Sequence, residues 1–213
     1  MADWLTLYTG GTGEIEEKKS RFIATIEPVS SEEEAAAFIA SIKKKYWDAR
    51  HNCSAFVIGP AGEKTRCSDD GEPSGTAGRP MLDMLVKEHI TNACVVVTRY
   101  FGGTLLGTGG LVRAYQAAVR AGIDNCTLIK KKQGFLTKVV CDYNDHDRLR
   151  SVADKKGYHI IQTDYGEKVT LTFVADDAAT LAGDITDQTS GRATILPPES
   201  ITYALDGRGN LIE

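Results

Sequence analysis

The sequence predicts an α+β protein with two domains. Its 213 residues are too many for one minimal domain and suit one large domain or two small ones. In the second half, hydrophobic patterns and turn signals follow the order β-α-β-β-α-β, which is the pattern of a ferredoxin-like domain. In the first half, strands and amphipathic helices are separated by two glycine-rich loops. We place the join at residues 125–134, where three lysines and a glycine interrupt the periodicity.

Composition and charge exclude several classes of protein. Hydrophobic residues make up 42% of the chain and charged residues 25%, and no apolar run approaches the roughly 18 residues of a membrane helix. The net charge of −4 argues against a wholly basic nucleic-acid-binding domain, although it leaves room for a local patch. The five cysteines are widely spaced and no secretory signal is visible, so we expect reduced thiols in the cytoplasm. We expect no metal, no cofactor and no membrane partner.

The first half contains helix and strand signals in alternation. Residues 1–13 give no clear pattern, and 14–19 give only a weak strand signal. Ser31 and Glu34 have capping-box spacing, and three glutamates occupy the first turn that follows, where the helix dipole favours acids. The apolar run that opens ACVVVTRYF predicts a strand covered on both faces. The predicted strands are 21–29, 53–58, 63–68 and 93–101, and the predicted helices are 31–46, 80–90 and 111–123.

The second half has the rhythm of a small α+β domain. A turn at Tyr165-Gly166 separates two strands, and Pro197-Pro198 interrupts the last one. The predicted strands are 135–142, 158–164, 168–174 and 193–205, and the predicted helices are 145–156 and 176–190.

The glycine loop at residues 102–110 is the stronger functional signal. It connects a buried strand to a helix, and the exposed N–H groups at a helix N-terminus bind anions because the dipole and the unpaired donors act together. Glycine lets the backbone approach a ligand or adopt a positive φ, and Arg99 at the strand end can contact a phosphate through two bonds. We predict an anion- or nucleic-acid-binding site formed by Arg79, Arg99, Thr104, Gly107, Thr108, Gly109, Gly110 and Arg113.

Two known nucleotide-binding loops do not fit this segment. A P-loop ends in glycine, lysine and serine or threonine, and that sequence is absent. A dinucleotide fingerprint needs a third glycine or alanine where Val112 stands, and no acid ends a strand about 20 residues further on. The alternative is a tight connection whose glycines only permit close packing.

The loop at residues 69–79, DDGEPSGTAGR, contains the acidic candidates for catalysis. Asp69, Asp70 and Glu72 could hold magnesium or act as acid and base. Their spacing does not match an EF-hand, and Ser74 does not lie in a nucleophile elbow. The alternative is a turn with solvated charges.

A second catalytic candidate lies at the start of a strand, in the segment Arg50-His51-Asn52-Cys53. His51 could be a base, with Cys53 or Cys67 as the nucleophile. Small buried cysteines are common in strands, and this is the alternative for both thiols.

Long motifs in the first half resemble the IMPACT family. They are SDDGEPSGTAGRPML at 68–82 and VTRYFGGTLLGTGGLVRAY at 97–115, with KKSRFI at 18–23 and DARHNC at 48–53. The resemblance covers residues 14 to 125, and the trailing domain is similar to that of the family's bacterial YigZ-like branch.

The resemblance implies a ribosomal protein S5 domain 2-like fold at 14–128. It also implies a ferredoxin-like domain at 134–206, similar to the last domain of the translocation elongation factor. The eukaryotic relatives act in translational control by competing for an activator of a starvation-responsive kinase, and they carry a further N-terminal domain. We therefore do not expect the kinase pathway to apply here, and the family offers no agreed catalytic residues.

These observations favour a non-enzymatic regulator of translation that associates with the ribosome, RNA or a translation factor. The alternative is a metal-dependent enzyme acting on a phosphorylated small molecule, with the acidic cluster facing the anion loop. A third hypothesis is a protein-interaction module that uses the ferredoxin-like sheet.

Overall fold

The structure is a computed structural model that describes residues 3–212. The chain forms two compact units: one is Trp4–Lys130, and the other comprises Asp3 and residues 131–212. Both units combine helices and antiparallel strands, which confirms the α+β fold with two domains. No helix within residues 3–212 is long and apolar enough to cross a membrane.

The first unit is built on a five-stranded sheet. Its elements are β1 Trp4–Thr9, β2 Gly11–Glu17, β3 Ser20–Pro28, α1 Glu32–Lys45, β4 His51–Ile58, β5 Lys64–Ser68, α2 Gly78–Lys87, β6 Ala93–Tyr100 and α3 Gly107–Ile123. The sheet order is β2-β3-β6-β4-β5, and each neighbouring pair is antiparallel. The central strand β6 is buried on both faces, as its apolar run predicts.

Helices cover this sheet on two sides because the strands place apolar side chains on both faces. Met81 and Leu85 of α2 and Tyr115 and Val119 of α3 join one buried cluster with Val95 of the central strand. A separate, smaller cluster packs α1 against the sheet through Ala35, with Val29, Phe56, Ile58 and Cys94. Ser31 caps α1, since Glu34 N donates to Ser31 Oγ at 3.1 Å, whereas the Glu34 carboxylate accepts from the backbone N–H of Ser30 at 2.7 Å.

The second unit has the predicted order of a ferredoxin-like domain. Its elements are β7 Thr127–Cys141, α4 Tyr143–Lys156, β8 His159–Tyr165, β9 Val169–Ala175, α5 Ala178–Thr189, β10 Thr194–Ile195, β11 Glu199–Leu205 and β12 Leu211–Ile212. In the sheet, β9 lies between β7 and β8 and is antiparallel to both. The two strands joined by α4 are therefore separated by a third, which is the split βαβ arrangement. Leu149, Leu171, Phe173, Leu181 and Ile185 form part of its core.

The structure differs from the sequence analysis in three places along the chain. Part of the N-terminal segment without a clear pattern is β1 and the start of β2, and its first two residues lie outside the described range. The predicted join at 125–134 is mostly strand β7, and the boundary between the two units falls inside it, after Lys130. Gly134 packs closely in this strand, since a Cβ there would lie 2.6 Å from the Ala175 carbonyl oxygen. Helix α3 begins at Gly107 rather than Leu111, so three glycines form its first turn.

The two domain limits that the sequence suggests, and the likeness of the first domain to ribosomal protein S5 domain 2, stay predictions.

Candidate functional site

A pocket of about 450 Å³ lies where β4, β6 and α3 meet the two glycine-rich loops. This volume is within the range of roughly 300–1,000 Å³ that is typical of ligand pockets. The antiparallel register places His51 of β4 opposite Arg99 of β6, which brings distant parts of the sequence together. Five predicted site residues line the pocket: His51, Glu72, Arg99, Gly107 and Thr108.

The N-terminus of α3 supplies backbone donors to this pocket. The helix begins at Gly107, which has a φ of 71°, and the residue before it provides no side-chain cap. The first N–H groups of a helix have no carbonyl partner within the helix, and the dipole makes that end positive. Because Gly107 and Thr108 line the pocket, this end of the helix is suited to an anion.

Two ionisable side chains of the neighbouring residues Arg50 and His51 also line this pocket. Arg50 is exposed, lines the pocket and forms no ion pair within the described residues. His51 Nδ1 lies 3.0 Å from the carbonyl oxygen of Asp70. A carbonyl oxygen only accepts, so Nδ1 carries the hydrogen in this contact and Nε2 is the remaining ring nitrogen.

A buried ion pair forms the floor of the pocket. Arg99 Nη1 donates to Glu72 Oε1 at 2.7 Å, and the Tyr115 hydroxyl donates to the same oxygen at 2.8 Å. Arg99 is 6% exposed and Glu72 is 8% exposed. The Arg99 guanidinium carbon lies 5.3 Å from the Phe22 ring centroid and 5.6 Å from that of Phe101. These contacts fix the arginine in one orientation.

Arg99 keeps unused hydrogen-bonding capacity despite this pairing. Its Nε is buried and has no partner within residues 3–212, and Nη2 makes one long contact of 3.4 Å to Ser20 Oγ. An unpaired buried donor costs about 1–3 kcal/mol, so an acceptor brought to this side chain would recover free energy.

Cys53 belongs to the same buried network and is unsuited to nucleophilic catalysis. Its Sγ lies 3.3 Å from the Tyr115 hydroxyl and 3.0 Å from the Asp69 carbonyl oxygen. Burial raises the pKa of the Cys53 thiol to about 12, so almost no thiolate is present at neutral pH. Burial also raises the pKa of the exposed Cys67 thiol, and neither cysteine has the lowered pKa of an activated nucleophile.

Asp69 holds the first glycine loop together instead of facing a ligand. Its carboxylate accepts from the backbone N–H groups of Gly75 at 2.8 Å, Ala77 at 3.0 Å and Gly78 at 2.8 Å. Burial raises the pKa of Asp69, but the three N–H donors outweigh it and lower the pKa below its ordinary value. The carboxylate thereby caps the start of α2, which has no other side-chain cap.

We expect Asp69→Asn to lower the free energy of unfolding by about 1–2 kcal/mol at neutral pH, as loss of a charged cap does. Because the folded pKa lies below the unfolded value of about 3.9, the stabilisation is complete above that value and is lost as pH falls through the folded pKa. Urea titrations of the wild type and of the Asp69→Asn variant across acidic pH measure the difference between their free energies of unfolding. Glu16→Gln, at an exposed carboxylate of β2, is the control, and a pH-independent difference for Asp69→Asn would contradict this role.

Asp70 also makes structural contacts. One oxygen accepts from Lys43 Nζ at 2.6 Å and the other from the backbone N–H of Asn52 at 2.7 Å. Asp69 and Asp70 thus hold different backbone segments, and Glu72 is bound to Arg99. Within residues 3–212, no group of three or more histidine, cysteine or acidic side chains is placed to hold a metal ion.

The remaining predicted anion-binding residues lie outside the pocket lining: Arg79, Thr104, Gly109, Gly110 and Arg113. Arg79 is exposed and donates to Asp83 one helical turn away at 2.8 Å. Gly109 and Gly110 are in the first turn of α3 but are not among the lining residues. The pocket therefore brings together Arg99, Gly107 and Thr108 of the predicted anion-binding residues and leaves these five outside its lining.

Four residues of the site were missed as functional candidates: Arg50, Phe101, Leu105 and Tyr115. Phe101 is 51% exposed and Leu105 is 83% exposed, which is unusual for large apolar side chains inside a motif. The available signal was their position in the glycine loop, with Phe101 directly before Gly102 and Leu105 between Gly103 and Gly107. Tyr115 lies in the core, and the sequence carries no sign that its hydroxyl reaches Glu72.

The fold defines a two-domain α+β protein, and its first unit has a pocket lined by Arg50 and Arg99. Residues 18–123 match the Impact N-terminal domain, and residues 139–192 match a domain of unknown function, DUF1949. The chain is 39% identical over 205 residues to the IMPACT family member YvyE of Bacillus subtilis (strain 168), covering 95% of this chain and 94% of that protein. The chain belongs to the IMPACT family, which confirms the resemblance seen in its motifs.

Other relatives agree with this membership. IMPACT family member YigZ of Escherichia coli (strain K12) is 38% identical over 184 residues, covering 85% of this chain and 90% of that protein. A crystal structure described as that of a hypothetical protein has a TM-score of 0.61 and 35% identity, and covers 93% of this chain and 98% of that one.

Proposed function

We propose that this chain is a non-enzymatic RNA-binding protein that acts in translation and holds a phosphate group of RNA in the pocket of its first domain. The observation that carries the proposal is the meeting of exposed Arg50, buried Arg99 and the uncapped start of α3 at one concave site. Helix N-termini and arginine side chains are the groups that bind phosphate best in proteins. The link to translation comes from membership of the IMPACT family and the role that the resemblance implies for its eukaryotic members.

The charge of the protein favours a defined site over a broad basic surface. A net charge of −4 repels nucleic acid at a distance, so affinity has to come from a few desolvated contacts. The five cysteines are all free, and we propose a cytoplasmic location on that basis. The alternative of a metal-dependent enzyme loses support because Asp69 and Asp70 are occupied by lysine and backbone donors.

We expect Arg50→Ala to weaken RNA binding about tenfold at low salt, because it removes one charge-assisted phosphate contact. It should also reduce the slope of log affinity against log salt concentration by about 0.7–0.9. Fluorescence anisotropy with single-stranded RNA, repeated at several salt concentrations, measures both quantities.

Arg66→Ala is the matched control, because Arg66 is an exposed arginine of β5 that lies outside the pocket lining. Arg113→Ala tests whether the binding surface extends along α3. Co-sedimentation with ribosomes at about 50 mM and about 200 mM salt gives a second measurement. Absence of both RNA and ribosome association at low salt would exclude the proposed function.

A further inference from the structure

We propose that the pocket recognises one unpaired nucleotide, with its phosphate at the start of α3 and its base against Phe101 and Leu105. This inference rests on the proposed function, because it names the part of RNA that the same pocket takes. It goes further by predicting that the ligand has an apolar, planar part next to its charge.

The apolar wall of the pocket is the first observation. Phe101 and Leu105 line the pocket although they are 51% and 83% exposed, and the lining also includes the apolar residues Leu106, Leu111 and Pro73. Single exposed apolar residues are ordinary on protein surfaces, but these two border a concavity that also contains Arg50 and Arg99. A bare inorganic anion would leave this wall in contact with water.

The polar part of the pocket is the second, independent observation. Arg99 is more than nine-tenths buried, and its Nε has no partner within the described residues. It lines the same pocket as the unpaired start of α3 and the unpaired Arg50. Together these groups provide several donors for one phosphate, whose oxygens only accept.

The arrangement favours a nucleotide in a single strand over one in a duplex. In a duplex the bases are paired and stacked, so a phosphate held at Gly107 could not bring its own base to Phe101. In a single strand the base can be splayed out and stacked on an aromatic ring, with an arginine plane beside it. The Arg99 guanidinium lies 5.6 Å from the Phe101 ring centroid, so the ring is already held in position on one side.

The test compares four probes, which are inorganic phosphate, adenosine, AMP and a short oligoadenylate. Isothermal titration calorimetry gives their affinities, and NMR chemical-shift changes of the protein locate their binding site. AMP should bind at least about tenfold more tightly than phosphate or adenosine. The chemical-shift changes that AMP causes in the protein should map to Phe101, Leu105 and Thr108. Oligoadenylate should bind more tightly than the same strand paired with oligouridylate.

Phe101→Ala should weaken AMP and oligoadenylate about tenfold and weaken inorganic phosphate much less, because Glu72 and Phe22 still hold Arg99. Leu105→Ser is a second variant. Because Leu105 is the most exposed apolar residue of the pocket lining, this change should not destabilise the fold. Trp47→Ala is the matched control, because Trp47 is 83% exposed and lies outside the pocket lining.

The possible results separate this inference from the function on which it rests. Equal affinity for phosphate and AMP, equal loss of both in Phe101→Ala, or preference for the duplex would overturn the nucleotide proposal while RNA binding still stands. If the wild-type protein binds neither oligoadenylate nor ribosomes at low salt, both proposals fail.

Discussion

Replacing Glu72 with alanine is expected to lower the free energy of unfolding of the first unit by about 3–5 kcal/mol. The loss is large because Glu72 is the anionic partner of Arg99 in the buried floor of the pocket. Without it, a guanidinium that is 6% exposed would have no counter-charge, and the Tyr115 hydroxyl would lose its acceptor. Removing one partner of a buried pair costs more than the pair itself contributes, since the remaining charge stays desolvated.

Urea unfolding followed by tryptophan fluorescence measures this loss of stability in the first unit, because Trp4 and Trp47 both lie within Trp4–Lys130. Glu17→Ala is the control: Glu17 is an exposed glutamate of β2, and its removal should change stability by no more than about 0.5 kcal/mol. Glu72→Gln keeps an acceptor for Tyr115 but not the charge, and should give an intermediate loss. A Glu72→Ala protein as stable as wild type would mean that Arg99 does not depend on this carboxylate.

The sequence predicted the two loops of the site, but it could not predict which side chains meet there. Glycine marked both loops because it is needed where the chain turns sharply or approaches another segment. The pairing of His51 with Arg99, however, depends on the register of β4 against β6. Register arises from how all the strands share one buried face, and no local pattern in either strand specifies it.

The acidic loop shows a second limit of sequence reasoning. Asp69 and Asp70 stand next to Glu72 in the chain, so a shared metal or an acid–base pair was a reasonable hypothesis. Asp69 accepts from backbone N–H groups six to nine residues away, and Asp70 accepts from a lysine of α1 and from the backbone N–H of Asn52. Carboxylates that accept such bonds look the same in sequence as catalytic ones. Only the folded backbone, with Asp70 at a φ of 42°, separates the two roles.

The geometry of helix α3 explains which residues of its N-terminal segment line the pocket and which do not. Successive residues of α3 are rotated by about 100° around the helix axis, so Gly107, Thr108 and Leu111 can line the pocket while Arg113 does not. Of the predicted anion-site residues on α3, Gly107 and Thr108 line the pocket and Gly109, Gly110 and Arg113 do not, and the anion site itself stays a prediction. Phe101 and Leu105 were overlooked because an apolar residue in a loop motif is ordinarily assigned to packing.

Replacing Gly102 with alanine is expected to lower the free energy of unfolding of the first unit by about 3 kcal/mol, at the upper end of the cost of overpacking. A Cβ at this position would lie 2.0 Å from the Lys19 carbonyl carbon and 2.4 Å from Ser20 N, which are backbone atoms. The turn that they belong to has little freedom to move, because Lys18 and Lys19 already have positive φ values of 47° and 65°. The Gly102 N–H also donates to Ser20 Oγ at 3.1 Å, so displacement would break this bond.

Gly109→Ala is the matched control within the same glycine motif. A Cβ on Gly109 would meet only Arg113 Nη1 at 3.9 Å, and the residue is in the first turn of α3, so the alanine should be neutral or stabilise by about 0.5 kcal/mol. The same fluorescence-monitored urea titration compares the two variants. A loss of stability in Gly102→Ala without a loss in Gly109→Ala would establish that Gly102 is required for the close approach of the chain to itself. It would also show that packing does not require glycine at 109. Equal stabilities would contradict the contact between the glycine loop and the Lys18-Lys19 turn.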